Sequence, residues 1–393
     1  MTGILDGVRV LDFGRYIAGP YCAALLADLG AEVIRVEPPD GGEDRYLMPA
    51  TDTGEGAVFL QANRGKQSIT LDLSSPRSPE VVRRLIAQVD VVIANFSPRA
   101  LKHLGLDYER LRSIKPDIIL TTITAFGSEG PLSESVGFDG VGQAVSGALY
   151  LTGEPGRPYR SAASFVDFST ALASAYGTLA ALIAKTRTGK GAHVEGSLAG
   201  TAMNIMNPIF IEHAAGTNIR QPTANRSPIA GPSDVFKARD GWFIMQVIGQ
   251  AMFKRWARLI GRPELIDDPR FADDISRGRN GAVLSGYMAE WVAERTRDEC
   301  LALLAEANVA AGPVLTPADV IGGAFGLAGA FLHNVGYPGT RGVPIARPPI
   351  RLSHGAADEM RPPPRLGEHT DTALYRFGFD ANEIEELRRE RVI

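Results

Sequence analysis

The chain has 393 residues, 45% of them hydrophobic and 22% charged, which is enough apolar mass for a large core and, at ~100–200 residues per domain, room for two domains. Its 41 basic and 45 acidic residues are interspersed and leave a formal charge of -4, so the composition excludes a disordered or fibrous chain and offers no basic stripe for nucleic acid. Two cysteines, Cys22 and Cys300, are too few for a disulfide framework and fit a reducing compartment, with cytosol as the expectation.

The first residues, Met1 to Gly7, lack a basic stretch followed by an apolar one, and no apolar run approaches the ~20 residues of a membrane span, so neither export nor insertion is expected. Short β-branched runs then alternate with helical patterns, as in a parallel α/β sheet. Strands are predicted at 8–13, 32–36, 68–71, 91–95 and 117–123. Helices are predicted from Ala18, where Pro20 sits near the start and Cys22, Leu25, Leu26 and Leu29 form the inward stripe, and at 79–88 and 108–114. Gly30 closes the first helix.

This is a Rossmann-like pattern, yet the first turn, Gly14-Arg15-Tyr16-Ile17-Ala18-Gly19, lacks the G-x-G-x-x-G spacing of a dinucleotide site. An Ala-rich helix is predicted over 167–185. Residues 216–234, with Pro222, Pro228 and Pro232, read as a linker. A second unit follows, with a strand at 242–247, helices near 251–260, 284–294 and 297–307, and an apolar segment ending Gly312-Pro313-Val314. The final helix is expected over 382–390.

The six histidines are scattered without metal-binding spacing, so no metal is expected. Asn63-Arg64-Gly65-Lys66 and Thr188-Gly189-Lys190-Gly191 lack the P-loop spacing, which argues against ATP. Gly196-Ser197-Leu198-Ala199-Gly200 places its serine one residue early for a hydrolase elbow. Cys22 reads as core. Asp167 differs: a carboxylate follows Ser161-Ala162-Ala163-Ser164-Phe165-Val166 and opens the Ala-rich helix. Its plainer reading is an N-cap. Its functional reading is a partly desolvated carboxylate able to attack a carbonyl.

Several segments in order resemble the class III CoA-transferase family, of the formyl-CoA transferase, L-carnitine dehydratase and α-methylacyl-CoA racemase type. They are the run from Gly7 to Phe13, Ala18-Gly19-Pro20, the run from Leu29 to Pro38, Asn63-Arg64-Gly65-Lys66, Leu71-Asp72-Leu73, and Asn95-Phe96-Ser97-Pro98. Phe126-Gly127, Gly130-Pro131, Ser146-Gly147, Asp167, Gly189-Lys190-Gly191 and Gly367-Glu368-His369-Thr370 continue the match over nearly the whole chain.

The resemblance implies that Asp167 is a nucleophile moving coenzyme A from an acyl-CoA donor to a free carboxylic acid, through an aspartyl anhydride and an aspartyl-CoA thioester. It implies coenzyme A contacts at Ile17, Ala18, Leu71, Asp72, Leu73, Ser74, Asn95, Phe96, Ser97, His103, Gly137, Phe138, Asp139 and Gly140. For Leu71 and Phe96 the residue type equally suits core packing, and for Asn95 a turn. Pro38 and His103 stand where some members carry basic residues. Arg15, Arg45 and Lys102 are the substitutes considered for the nucleotide phosphates.

The racemase branch uses a His-Asp pair, and Phe138 occupies the place of that histidine, so acyl transfer is favoured over racemisation. A racemase, epimerase or dehydratase of the same family, and a non-catalytic CoA-binding protein, remain the alternatives. The implied architecture is an α/β fold: a Rossmann-like large domain with a parallel sheet over 1–200, completed by 335–393, a linker over 201–224, and a smaller α+β domain over 225–330. Two chains would interlock as a homodimer. A loop over 245–252, with Gly249 and Gln250, is expected near the acyl group.

Overall fold

A computed structural model of the chain describes residues 3–216, 219–350, 352–354 and 360–393. Met1 and Thr2 of the expected N-terminal stretch, Thr217 and Asn218 of the expected linker, and residues 351 and 355–359 of the C-terminal segment lie outside them. The chain divides into two compact units, one of 1–146, 162–206 and 327–393, the other of 147–161 and 207–326.

In the larger unit, β1 (Arg9–Asp12), β2 (Glu32–Glu37), β3 (Gln67–Thr70), β4 (Val91–Ala94), β5 (Ile119–Thr124) and β6 (Ala192–Ser197) form one sheet in the order β3-β2-β1-β4-β5-β6. Every pairing is parallel. The central strand β4, Val91-Val92-Ile93-Ala94, is apolar throughout because both of its faces are covered. Alternate side chains separate onto the two faces. Leu11, Ile34, Val92 and Leu120 meet helices Ser78–Ile86, Tyr108–Ile114, Thr370–Arg376 and Ala381–Arg389, whose Leu374, Ile384 and Leu387 join that core. Val10, Val33, Val91 and Ile119 meet helices Ala18–Ala27 and Phe165–Thr188 through Tyr21, Leu26, Val166, Ala171 and Ala175.

The register puts β1 between β2 and β4, each parallel to it. The chain leaves β1 toward β2 on one side and returns at β4 on the other, so a crevice opens beyond the carboxyl ends of β1 and β4. This is the topological switch point where open α/β sheets bind ligands.

The smaller unit holds the antiparallel sheet β7 (Ser233–Lys237), β8 (Trp242–Gln246) and β9 (Ala310–Pro313), packed by Phe243 and Met245 against Phe253, Trp256, Leu284 and Leu304. In the larger unit, β10 (Leu332–Val335) and β11 (Val343–Ala346) form a separate antiparallel pair.

The units differ from the expected domains in that 147–161 belong to the smaller one and 327–334 to the larger, and two helices also depart from expectation. Residues 201–214 are not linker: helix Leu198–Ala214 runs through them with Pro208 inside it, buried along Leu198, Ala199, Ala202 and Met206. That i, i+1, i+4, i+8 stripe outweighs the proline. Helix Phe165–Thr188 is, by length and composition, sufficient to cross a bilayer, although no such run was expected. Its 24 residues include Thr170, Ser174 and Thr178 among the buried positions, and its apolar residues pack within the second core.

Candidate active site at the switch point

The wall of the crevice is the turn Gly14-Arg15-Tyr16 that follows β1, and side chains from four segments fix it. Asp12 accepts from the Gly14 N–H at 2.7 Å. Asn95, just past β4, accepts from Arg15 N at 2.8 Å and donates to Arg15 O at 2.7 Å. Arg35 on β2 donates to Gly14 O at 3.0 Å. Lys66 donates to Asp12 at 2.7 Å, to Pro20 O at 2.7 Å and to Asn63 at 2.8 Å, which satisfies all three of its protons.

Gly14 permits this packing, since a Cβ there would lie 2.7 Å from Asp12 Oδ1 and 2.8 Å from the Pro20 ring. Tyr16 has a φ of 62°, a left-handed conformation uncommon for a side-chain-bearing residue and typical of over-determined functional turns.

The ion pairs Lys66–Asp12, Arg35–Asp44 and Arg45–Glu37 around the turn are almost fully buried. Burial pulls the Lys66 ammonium down to about 8 against the opposing pull of Asp12. Arg45, considered for phosphate contact, is committed elsewhere: it is buried and donates twice to Glu37, at 2.9 and 2.6 Å, and to Pro364 O at 3.3 Å. A fully desolvated guanidinium stays where its carboxylate holds it. Arg15 is partly exposed, 3.7 Å from Asp44. Lys102 and His103 are exposed in the last turn of helix Pro98–Leu104.

Asp167 is not the N-cap of its helix. Ser164 holds that position without a side-chain bond, and Asp167 lies in the first turn. The capping oxygen comes from Asp139, 28 residues earlier, whose Oδ1 accepts from Val166 N at 2.8 Å and Asp167 N at 3.2 Å. Asp139 is 5% exposed and Asp167 9%. Among the described residues no hydrogen-bond donor reaches the Asp167 carboxylate. Burial, and then the like charge of Asp139, push its carboxyl up to about 7.

Two aromatic contacts join neighbours of the two carboxylates to the β1 turn and the helix after it. Tyr21 of the first helix meets Phe168 edge-on at 4.8 Å, and Tyr16 of the turn meets Phe138 edge-on at 5.4 Å. Phe138 is the N-cap of helix Asp139–Val145 and is 53% exposed.

The expected coenzyme residues therefore fall into groups. Ile17 and Ala18 follow β1 and Asn95, Phe96 and Ser97 follow β4, so these five flank the switch point. Ser97 also caps the next helix, accepting from Ala100 N at 3.3 Å, and Phe96 packs partly on the core. Of Gly137, Phe138, Asp139 and Gly140, Phe138 meets Tyr16 of the turn, and Asp139 is bonded to the start of the Asp167 helix. Leu71, Asp72, Leu73 and Ser74 follow the outer strand β3, with β2 between them and β1. Leu71 is 1% exposed and belongs to the core, and Asp72 N donates to Val392 O of the C-terminal tail. His103 stands apart on its helix. Gly249 and Gln250 lie in the smaller unit, held by Asp274 and Arg277.

Tyr16, Tyr21 and the Asp12–Lys66–Arg35 brace were not singled out in the sequence. The one local signal was the Gly14 to Gly19 turn between a strand and a helix. No group of metal-ligating side chains occurs among the described residues.

Known proteins resemble the chain over nearly its whole length. A succinyl-CoA–D-citramalate CoA-transferase of Chloroflexus aurantiacus is 33% identical over 99% of this chain and 98% of that protein. The human succinyl-CoA:glutarate CoA-transferase is 32% identical over 99% of this chain and 90% of that one. A crystal structure of a CAIB/BAIF family protein from Brucella suis superposes with a TM-score of 0.84 at 35% identity, covering 96% of this chain and 100% of that chain. The family model for CoA-transferase family III matches residues 5–370, and with these full-length relatives the chain belongs to CoA-transferase family III.

Proposed function

We propose that this CoA-transferase works by covalent catalysis at Asp167, moving coenzyme A from an acyl-CoA donor to a free carboxylic acid. A carboxylate oxygen of Asp167 attacks the thioester carbonyl, the C–S bond breaks, and a mixed anhydride and CoA thiolate result. The thiolate attacks the aspartyl carbonyl, and the donor acid leaves with the anhydride oxygen. The acceptor carboxylate then attacks the aspartyl-CoA thioester, releasing the thiolate again. That thiolate takes the acceptor acyl group and restores the Asp167 carboxylate. Each thioester bond broken is replaced by an acyl bond of comparable reactivity, so the cycle balances without ATP.

The observation that carries this reading is the nearly buried Asp167 carboxylate in the first turn of its helix, with the Asp139 carboxylate beside it. An oxygen that accepts no hydrogen bond from the described residues keeps its lone pairs for an electrophile, and a desolvated carboxylate, once ionised, is the stronger nucleophile. Phe138 beside Asp139 offers no proton-transferring group, which favours acyl transfer over α-proton abstraction. The coenzyme would lie against Ile17, Ala18 and Asn95 to Ser97, with its thiol end toward Gly137 to Gly140. Curated relatives are named for succinyl-CoA with citramalate or glutarate, so succinyl-CoA with a short dicarboxylic acid is the first pair to test.

A homodimer belongs to the same reading: Leu172, Tyr176 and Ile183 line an exposed apolar stripe on the Asp167 helix. Two unpaired, buried cysteines support a reducing compartment.

The test is trapping by hydroxylamine during turnover, followed by peptide mass analysis. Asp167 is expected to carry a hydroxamate with succinyl-CoA present and none without it. Turnover with no tag on Asp167, or an Asp167→Ala chain that exchanges CoA at the normal rate, would remove the covalent mechanism.

A further inference from the structure

We infer that Asp139 is a positioning residue for Asp167, pinning the first turn of the Asp167 helix while holding a second carboxylate beside the nucleophile. This rests on Asp167 being the nucleophile. Asp139 opens helix Asp139–Val145, and both of its oxygens are occupied: Oδ1 by the N–H groups of Val166 and Asp167, Oδ2 by Gln143 Nε2 at 2.6 Å. The two helices meet closely. A Cβ on Gly142 would stand 2.8 Å from Val166 Cγ1, so glycine there sets the depth to which Asp139 reaches. Phe138, the preceding residue, leans on Tyr16 and fixes the other side of the same corner to the β1 turn.

Capping alone does not call for a charge in this place. A serine or asparagine oxygen serves backbone N–H groups about as well as an aspartate. A buried carboxylate next to another carboxylate is electrostatically costly, and its effect is to make the neighbour hold its proton more tightly. A carboxylate of higher proton affinity is the stronger nucleophile once ionised, at the expense of a smaller ionised fraction below neutrality.

The other titratable groups on elements packed against the Asp167 helix are Tyr21 and Cys22 on helix Ala18–Ala27 and His193 and Glu195 on β6. Lys185 lies near the far end of the helix itself. Of these and Asp139, only Asp139 acts on the Asp167 carboxyl.

The test uses Asp139→Asn, which keeps an acceptor for both N–H groups and removes the charge, in the full-length chain with succinyl-CoA and a dicarboxylic acid. The acidic limb of the kcat/KM profile is expected to move toward lower pH. Relative to its own plateau, the variant should be on the order of tenfold more active at pH 5.5 than the unmodified chain. An unmoved limb in a chain that turns over would overturn the proposal.

A second arm does not depend on turnover: melting of the unmodified chain, Asp139→Asn, Asp167→Asn and the double variant at pH 5 and pH 8. The gain from Asp167→Asn at pH 8 is expected to shrink when Asp139 is already asparagine. Independent, additive effects would also overturn the proposal. An Asp167→Asn chain that keeps turnover defeats the nucleophile reading instead, while the melting cycle still reports whether the two carboxylates interact.

Discussion

Asp167 is held in an environment that favours its neutral form, and two consequences follow. The free enzyme needs the ionised carboxylate to start the reaction, so kcat/KM for acyl-CoA is expected to rise with pH through about 7, in the absence of any other titrating step. Stability runs the other way. The folded chain binds a proton at Asp167 more tightly than the unfolded chain, so folding is favoured at low pH and the contribution is lost as pH rises from the ordinary carboxylate range to about 7. Asp167→Asn removes the desolvated charge without changing the shape of the side chain. It is expected to abolish turnover, to leave melting nearly unchanged at pH 4, and to stabilise the chain by roughly 1–4 kcal/mol at pH 8. Calorimetry at the two pH values checks this, and equal gains at both would show that the charge is not the cause.

At the scale of elements, the turn after β1 is a rigid wall because its backbone groups are bonded to side chains from neighbouring strands. Asn95 alone spans Arg15 with a donor and an acceptor. Asn95→Ala leaves both Arg15 groups to find water. The expected cost is about 1–2 kcal/mol of stability with a raised KM for acyl-CoA and a smaller change in kcat, read by denaturant unfolding and steady-state kinetics. A fall in kcat at constant KM would mean that the turn serves the chemistry and not the coenzyme. The charged residues below the turn act differently. Lys66, Asp12, Arg35 and Glu37 read in the sequence as motif letters and Arg45 as a candidate phosphate contact, and the fold converts them into a buried ionic brace. Such groups impose specificity of arrangement at a desolvation cost, and removing one partner strands the other.

For the whole molecule, the stripe on the Asp167 helix has a direct consequence. Leu172, Tyr176 and Ile183 recur at helical spacing on the face opposite the core, with Tyr176 76% and Ile183 55% exposed. In a dimer those side chains would be covered. Size-exclusion with light scattering is expected to give two chains for the native sequence and one for Tyr176→Glu with Ile183→Glu. A stable native monomer would remove the dimer from the reading.

The sequence by itself determined what short-range pattern controls. The β-branched runs at β1, β2, β4 and β5 specify strands buried on both faces, and the helix over 108–114 appears with the bounds its periodicity predicted. Asp167 was legible as a carboxylate opening a helix, and the ordered motifs pointed to acyl-CoA chemistry. Only the tertiary structure decided which residue caps that helix, because the oxygen belongs to Asp139, far away in sequence and bound to backbone groups that carry no side-chain signature. It alone decided that Arg45 is buried and Arg15 is not, since residue type does not reveal whether a partner such as Glu37 stands within reach. The strand order that places β1 beside β4, and with it the crevice, likewise comes from pairings between distant segments. Local periodicity reports which face of an element is buried, but not what it is buried against.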